Sequence, residues 1–427
     1  MLTCMIVVLV GLCTFITYIL SQRNISFSWM FLLYWGTISL ISVLKGAEGK
    51  ENIYWLILWG CIGFFCGWLL VKILGLKNHL ISENIFEQKI LAERENIIIV
   101  LYMGALIIDL YLAYLSWTFF KNGNSWGAIR GLFLSGVGLS ETMIYIKAFY
   151  LIPLTYISGI IFSVEFFFSK TYGKRITIMI LTFFTTVIYA LASEGRMVLL
   201  YFLVCIVITY LSKKDRKKIS KKSKRYMLLI LGVGYLISSY RAVYSGADNV
   251  FIKVIESIIS YAVLPIDLME YYIPVVDESN ITGLGQVFVG CIIDLISNIT
   301  KIFSISIFQT FQGIDSLIAS FSDAVYIDGK RTNSFVSLFT YFYIDFRIGG
   351  VVIESMIFGM ICTVLESKKS KSFFDFCIYL FMWVVFSMLP IRWGLYNISV
   401  LLGFLYLWII FGKKQQNLEM QKNKLGS

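Results

Sequence analysis

Histidine is almost missing from this chain: His79 is the single one among 427 residues. It sits in a charged connecting segment, so histidine-based metal centres and Ser-His-Asp chemistry have almost nothing to build on. Proline is scarce as well, confined to Pro153, Pro265, Pro274 and Pro390, and no Gly/Ser-rich or Pro-rich stretch separates one half from the other. That argues for one integral domain, residues 1–427, over modules joined by a linker. Charged residues make up only 15%. The eight cysteines (Cys4, Cys13, Cys61, Cys66, Cys205, Cys291, Cys362 and Cys377) show no CxxC or CxxH spacing. Nearly all fall in apolar runs, where cysteine serves as a small apolar residue. The first twenty residues lack a basic n-region and a small-x-small cleavage site, which favours a retained first helix over a removed signal peptide.

What is abundant is apolar surface, with 58% hydrophobic residues, 17% aromatics and a mean hydropathy of +0.78. Those values place the chain in the membrane class. A helix needs roughly 20 apolar residues to cross the hydrocarbon core, and about eleven runs approach that length. The expected spans are 2–20, 25–44, 53–73, 97–119, 149–168, 176–192, 197–211, 226–240, 348–365, 373–389 and 395–411. Backbone polar groups in lipid must pair within their own helix. The expected fold class is therefore an all-α polytopic membrane protein of about eleven (ten to twelve) transmembrane helices.

Lys and Arg in the short connections set the orientation. The segment "SKKDRKKISKKSKR", 212–225, carries nine of them against Asp215 alone, and reads as a basic cytoplasmic loop. Segments 169–175 and 366–372, and a cytoplasmic tail at 412–427, fall on the same side when the spans alternate. A basic run also marks nucleic-acid binding in other settings. Beside membrane helices it reads as a topology determinant touching anionic lipid, and no nucleic-acid partner is expected. Residues 241–347 become a large external loop between the eighth and ninth helices, rich in Asp and Glu. Within it Phe251, Val254, Ile255, Ile258, Ile259 and Ala262 recur at helical spacing, as an amphipathic helix on the membrane surface or capping the bundle. The apolar residues 286–311 read as a further interfacial or re-entrant piece.

Against that topology the arginines stand out. In "YALASEGRMVLLYFLV", 189–204, Arg196 falls in a very short external connection. Arg130 ("SWGAIRGLFLS"), Arg241 and Arg392 ("LPIRWG") also lie outside, and Arg331 and Arg347 flank "TNSFVSLFTYFYIDF". A single arginine at a helix end snorkels to the headgroups. Several on one face suit a lipid-linked phosphate or pyrophosphate, because the guanidinium fork holds phosphate through paired charge-assisted bonds and keeps its charge. Gly195 permits a tight turn, and Glu194 either orients Arg196 or works as a base. Tyr240, Tyr244, Tyr341, Tyr343, Trp126 and Trp393 read mainly as an interfacial aromatic belt, a minority stacking on sugar rings.

The block "DGKRTNSFVSLFTYFYIDFRIGGVVIESMIFGM", 328–360, resembles the segment in Wzy-type O-antigen and capsular polysaccharide repeat-unit polymerases where an Arg/Asn-containing turn leads to an aromatic run, an Asp-Phe pair and a Gly-bearing helix. "SEGRMVLLYFL" is similar to the Gly/Ser-Arg junction those polymerases place near mid-chain. One departure is visible: Arg347 stands where the Asp-Phe pair is commonly followed by glycine, which implies either a further cation in the site or a different backbone there. The resemblance implies a GT-C-like membrane glycosyltransferase architecture in the bacterial cytoplasmic membrane, with the active site facing the periplasm or exterior. Donor and acceptor are undecaprenyl-pyrophosphate-linked glycans, joined by a glycosidic bond with release of undecaprenyl pyrophosphate. Arg196 and Arg241 are the expected catalytic clamps and Asp345 or Glu194 the base, with Arg130, Tyr240, Arg331, Asn333 and Arg392 binding substrate. The expected partners beyond the bilayer are a chain-length regulator and a flippase. No DxD pair occurs outside and no Gly-rich phosphate loop inside, so a lipid-linked donor without metal or cofactor is expected.

Two rival functions share this plan. An O-antigen ligase resembles the polymerases but carries an external histidine, and His79 is placed inside. A flippase for lipid-linked oligosaccharide commonly has repeated halves and mid-membrane charges; here no repeat is visible and the charges are expected at helix ends. A sensor or scaffold finds no signalling segment in the tail.

Overall fold

The computed structural model describes residues 2–21, 25–45, 50–75, 92–124, 138–168, 173–193, 197–212, 249–302, 309–321, 325–327, 330–332 and 336–412, with Ile129, Phe133, Gly136, Gly195, Leu228, Gly232 and Tyr235. In chain order the helices are α1 (Leu2–Leu20), α2 (Phe27–Leu44), α3 (Glu51–Ile73), α4 (Ala92–Lys121) and α5 (Glu141–Ile146), which a π turn, Lys147–Leu151, joins to α6 (Ile152–Phe168). Then come α7 (Gly173–Ala192), α8 (Met197–Ser212), α9 (Val250–Glu278), α10 (Gly290–Ile302), α11 (Gln309–Ser320), α12 (Leu338–Lys368), α13 (Phe373–Met388) and α14 (Ile398–Leu407). Two short strands, β1 (Val325–Ile327) and β2 (Lys330–Thr332), pair antiparallel with Tyr326 opposite Arg331.

Helix occupies the described part of every expected span except 226–240, which lies outside the described residues apart from Leu228, Gly232 and Tyr235. Among the described residues six helices are long and apolar enough to cross a bilayer: Phe27–Leu44, Glu51–Ile73, Arg94–Lys121, Glu141–Phe168, Lys174–Ala192 and Leu338–Lys368. Along α4 the apolar side chains Ile97, Val100, Met103, Ile107, Leu110, Tyr114 and Trp117 are exposed at helical spacing. In water such a stripe is a liability, and in lipid it is the solvated face. The chain is an α-helical polytopic membrane protein.

α9 and α12 run beyond what the sequence predicts, while α10 agrees with the interfacial or re-entrant piece expected over 286–311. α9 runs on past Ala262 to Glu278, through Pro265 and Pro274, after an N-cap in which Asn249 accepts the Phe251 and Ile252 N–H groups at 3.1 and 3.2 Å. α10 has 13 residues, about 20 Å of helix against a hydrocarbon core of about 30 Å, so by length it does not cross. α12 is two helical segments joined across a break at Phe346 and Arg347: the second begins where the span 348–365 was expected, and the first, from Leu338, was not expected.

The chain divides into two compact units. The first comprises Met1–Asn78, Arg241–Ser367 and Met388–Ile398. Its core is aromatic: Phe31 stacks on Phe64 at 4.1 Å, Trp35 lies 4.5 Å from Phe339, and Phe358 meets Trp393 edge-on at 5.1 Å. α3 and α12 pack backbone to backbone. A Cβ added at Gly63 would stand 2.3 Å from the Val352 carbonyl oxygen, and one at Gly67 would stand 2.0 Å from that of Met356. Small residues allow helices in lipid to approach this closely. Ser26, which caps α2, donates to Glu366 Oε2 at 2.8 Å at the far end of α12.

The second unit comprises His79–Tyr240, Lys368–Ser387 and Ser399–Ser427. Phe162, Phe202 and Ile206 form its buried cluster, with Phe166, Phe167, Met179, Phe183 and Leu203 packed around it. The π turn before α6 has an identifiable cause. The Ala148 carbonyl accepts the Ser399 hydroxyl at 2.8 Å and the Phe149 carbonyl accepts the Tyr406 phenol at 3.2 Å, so side chains of the last helix engage backbone groups in the wider turn.

Candidate functional site

The break in α12 gathers the strongest chemistry of the first unit. Phe346 (φ −141°, ψ 30°) leaves the helix, and Arg347 takes φ 56°, ψ −136°. That conformation lies near a region reserved almost entirely for glycine, so the residue is strained.

Two side chains flanking the break hold the same stretch of chain, 276–288. Before it, Asp345 is fully buried. Its Oδ1 accepts the Val287 N–H at 3.1 Å and its Oδ2 the Phe288 N–H at 2.9 Å. The backbone reciprocates, the Gly283 N–H donating to the Ile344 carbonyl at 2.9 Å and that of Leu284 to the Asp345 carbonyl at 3.3 Å. Leu284 and Gly285 both have positive φ, 53° and 84°, in the turn that leads to the Val287 and Phe288 N–H groups held by the carboxylate. A Cβ at Gly283 would stand 2.0 Å from Asp345 Oδ1, so only glycine fits there.

After the break, Arg347 Nε lies 3.3 Å from Asp277 Oδ1, and its Nη2 donates to the Val276 carbonyl at 3.2 Å. The guanidinium sits 5.5 Å from the centre of the Tyr343 ring, whose hydroxyl donates to the same Asp277 carboxylate at 3.0 Å. Its Nη1 is buried with no hydrogen-bond partner among the described residues. Glu354, further along α12, is 3% exposed and lies within electrostatic reach of Asp345.

Trp393 completes the wall. It is fully buried, stacks on Phe288 at 5.3 Å, meets Phe342 at 4.9 Å and donates its indole N–H to the Phe288 carbonyl at 2.9 Å. Arg392 precedes it, half-buried, within electrostatic reach of the Tyr341 phenol. Tyr341 lies 5.6 Å from Tyr396, which donates to Asp315.

Of the residues expected from sequence, the structure therefore brings Asp345 and Arg392 to one region of the first unit, bridged by Phe288 and Trp393. Arg331 is described only as a strand residue. Arg196, Glu194, Arg241, Arg130, Tyr240 and Asn333 lie outside the described residues. Gly195 does close a tight turn, its N–H meeting the Ala190 carbonyl at 3.1 Å. Trp393 and Tyr341 are not belt residues: both are buried, because their polar atoms and ring faces are used inside the fold.

The expectation that charges sit at helix ends also fails. Asp109 lies in the middle of α4, fully buried, with no hydrogen-bond partner for either oxygen among the described residues. Lys147 is buried at the π turn, donating to the Phe133 carbonyl with its ammonium 4.8 Å from that ring. Glu354 in α12 and Glu165 in α6 are likewise buried. Each was visible as an ionisable residue within an apolar run, a signal that weighs more than one at an end. No family model, curated protein or solved structure matches this chain.

Proposed function

We propose that this protein polymerises undecaprenyl-pyrophosphate-linked oligosaccharide repeat units at the outer face of a bacterial cytoplasmic membrane, through a GT-C-like bundle of about eleven spans. The observation that carries the reading is the left-handed backbone at Arg347. It gives a physical reason for glycine after the Asp-Phe pair in the polymerases this segment resembles, and so ties the likeness to a conformational requirement as well as to letters.

In this mechanism an acceptor hydroxyl attacks the anomeric carbon of the donor glycan, the bond to the pyrophosphate oxygen breaks, and the hydroxyl proton passes to a carboxylate. Charge builds on the departing pyrophosphate, where fixed arginines stabilise the transition state. Arg196 and Arg241 are assigned to that charge, with Arg130, Tyr240, Arg331, Asn333 and Arg392 contacting phosphate or sugar. Asp345 has both oxygens engaged by backbone N–H groups, which suits a positioning role for the 283–288 loop and favours Glu194 as the direct proton acceptor.

The test is the surface-glycan profile of the host with the gene deleted, then restored as wild type, Arg196→Ala or Arg241→Ala at equal protein levels. Loss of the polymer ladder with single repeat units still reaching the surface, restored only by wild type, is the expected result. Normal ladders from both variants refute the arginine mechanism. Failure of repeat units to reach the outer leaflet at all assigns the flippase instead, a reading that Asp109 and Glu354, buried within membrane helices, specifically favour.

A further inference from the structure

We propose that α12 opens with a re-entrant half-helix, Leu338–Asp345, whose first turn binds a phosphate group through the Ser337 and Thr340 hydroxyls. The proposal rests on the glycan reading for the source of that phosphate, while the binding is measurable without it.

The two segments of α12 fold back on each other at Phe346 and Arg347. A Cβ added at Gly350 would run into the Phe342 carbonyl, whereas residues eight apart in a straight helix are separated by about 12 Å along its axis. The first segment lies inside the bundle. The Phe339 ring fills the space beside Gly60, in the middle of α3, and stands 4.5 Å from Trp35 and 6.1 Å from Phe31 on α2. Leu338 donates its N–H to the Leu389 carbonyl at 3.0 Å, so a second non-helical stretch reaches the same place. A helix that begins inside a membrane bundle turns the positive end of its dipole on the interior, and discontinuous helices hold anionic groups at that end.

Two side chains add to the dipole. Ser337, immediately before the helix, and Thr340, three residues on, are both fully buried, and neither hydroxyl has a hydrogen-bond partner among the described residues. Other hydroxyls in this chain satisfy themselves on the carbonyl one turn back, as Thr182 does on Ile178 at 2.8 Å and Thr363 on Gly359 at 2.7 Å. A buried hydroxyl without a partner destabilises the fold, and alanine or valine would avoid that cost. Arg392, half-buried three residues beyond Leu389, brings a cation to the same stretch. Two hydroxyl donors, a helix N-terminus and a guanidinium together suit the oxygens of a phosphate. The hydroxyls are enclosed, and the break at Phe346 and Arg347 supplies the hinge about which the half-helix yields to a ligand.

Calorimetric titration of the full chain in nanodiscs with inorganic pyrophosphate, and separately with farnesyl pyrophosphate, tests this beside the unfolding midpoint of each variant. Ser337→Ala and Thr340→Val should each weaken binding by about tenfold, the loss of one hydrogen bond to a charged group, with midpoints unchanged or raised. Thr340→Ser keeps the hydroxyl and should bind as wild type does. Equal affinity for the two probes assigns a free phosphate ion, and tighter binding of the farnesyl compound assigns a lipid-borne one. No binding of either probe to wild type, unchanged affinity in both variants, or lowered midpoints that reveal hydroxyls satisfied within the fold each overturn the proposal. Weakened binding with an unaltered surface-glycan ladder upholds the site and refutes the polymerase reading alone.

Discussion

Arg347 is the residue where local cost and tertiary gain are most clearly opposed. Its φ of 56° is strained for any residue with a Cβ, while its guanidinium ties Asp277 and the Val276 carbonyl to the break. Alanine there loses the ties and keeps the strain; glycine loses the ties and the strain together. Arg347→Gly should therefore be more stable than Arg347→Ala by about 1–3 kcal/mol in reversible unfolding from detergent. Equal stabilities would mean that the backbone relaxes to helix once the arginine is gone. Lys50 offers a pH-dependent case at the start of α3. Burial by itself lowers its proton affinity, but hydrogen bonds and charge from Asp267 and Glu270 outweigh that and raise it above the ordinary 10.5. A raised lysine stabilises the fold fully below its unfolded value and loses that contribution as pH rises through the folded one. Wild type should thus exceed Lys50→Met in unfolding free energy at pH 7, by no more than about 1 kcal/mol for a partly exposed pair, with the gap closing above pH 10.5. A gap that persists at high pH would trace to packing of the lysine stem.

Between elements, α3 approaches α12 backbone to backbone, and the limits of that contact are steric. A valine at Gly67 drives side-chain atoms into the Met356 carbonyl, so the helices must separate or rotate. Gly67→Val should lose about 1–3 kcal/mol or more, whereas Gly349→Ala, where an added Cβ meets nothing within 4 Å, should be neutral or slightly stabilising. Comparable losses from both would mean that helix propensity, not close approach, governs these glycines. The apolar runs made most helices legible, because lipid requires long uninterrupted stretches of that kind. The start of α12 was not legible in that way. Asp345 and Arg347 read as polar to any window over the sequence and so closed the expected span at 348. In the fold their charges are met by N–H groups and by Asp277, and a further helical segment from Leu338 precedes the break.

For the whole molecule, the basic loops predict a topology that reporter fusions check directly. A reporter that fluoresces only in the cytoplasm should be bright when fused within 213–225 or after Lys413, and a reporter active only outside should work within 322–335. The reverse pattern would invert the positive-inside assignment and remove the external arginines from the proposed chemistry. Hydropathy, scarce proline, the near absence of histidine and the nine cations of 212–225 determined by themselves that this is a helical membrane protein, along with an expected orientation. Such properties are sums over many residues, and each residue contributes whatever its neighbours are. Only the tertiary structure decided that Trp393 is a buried wall and not a belt residue, that Asp345 is held by the Val287 and Phe288 N–H groups, and that Arg347 occupies a glycine conformation. Those facts depend on which backbone comes within a few ångströms of which side chain across large separations in the chain, as between Phe288 and Trp393. A periodicity records the face a residue lies on, while its partner across the fold is set by packing.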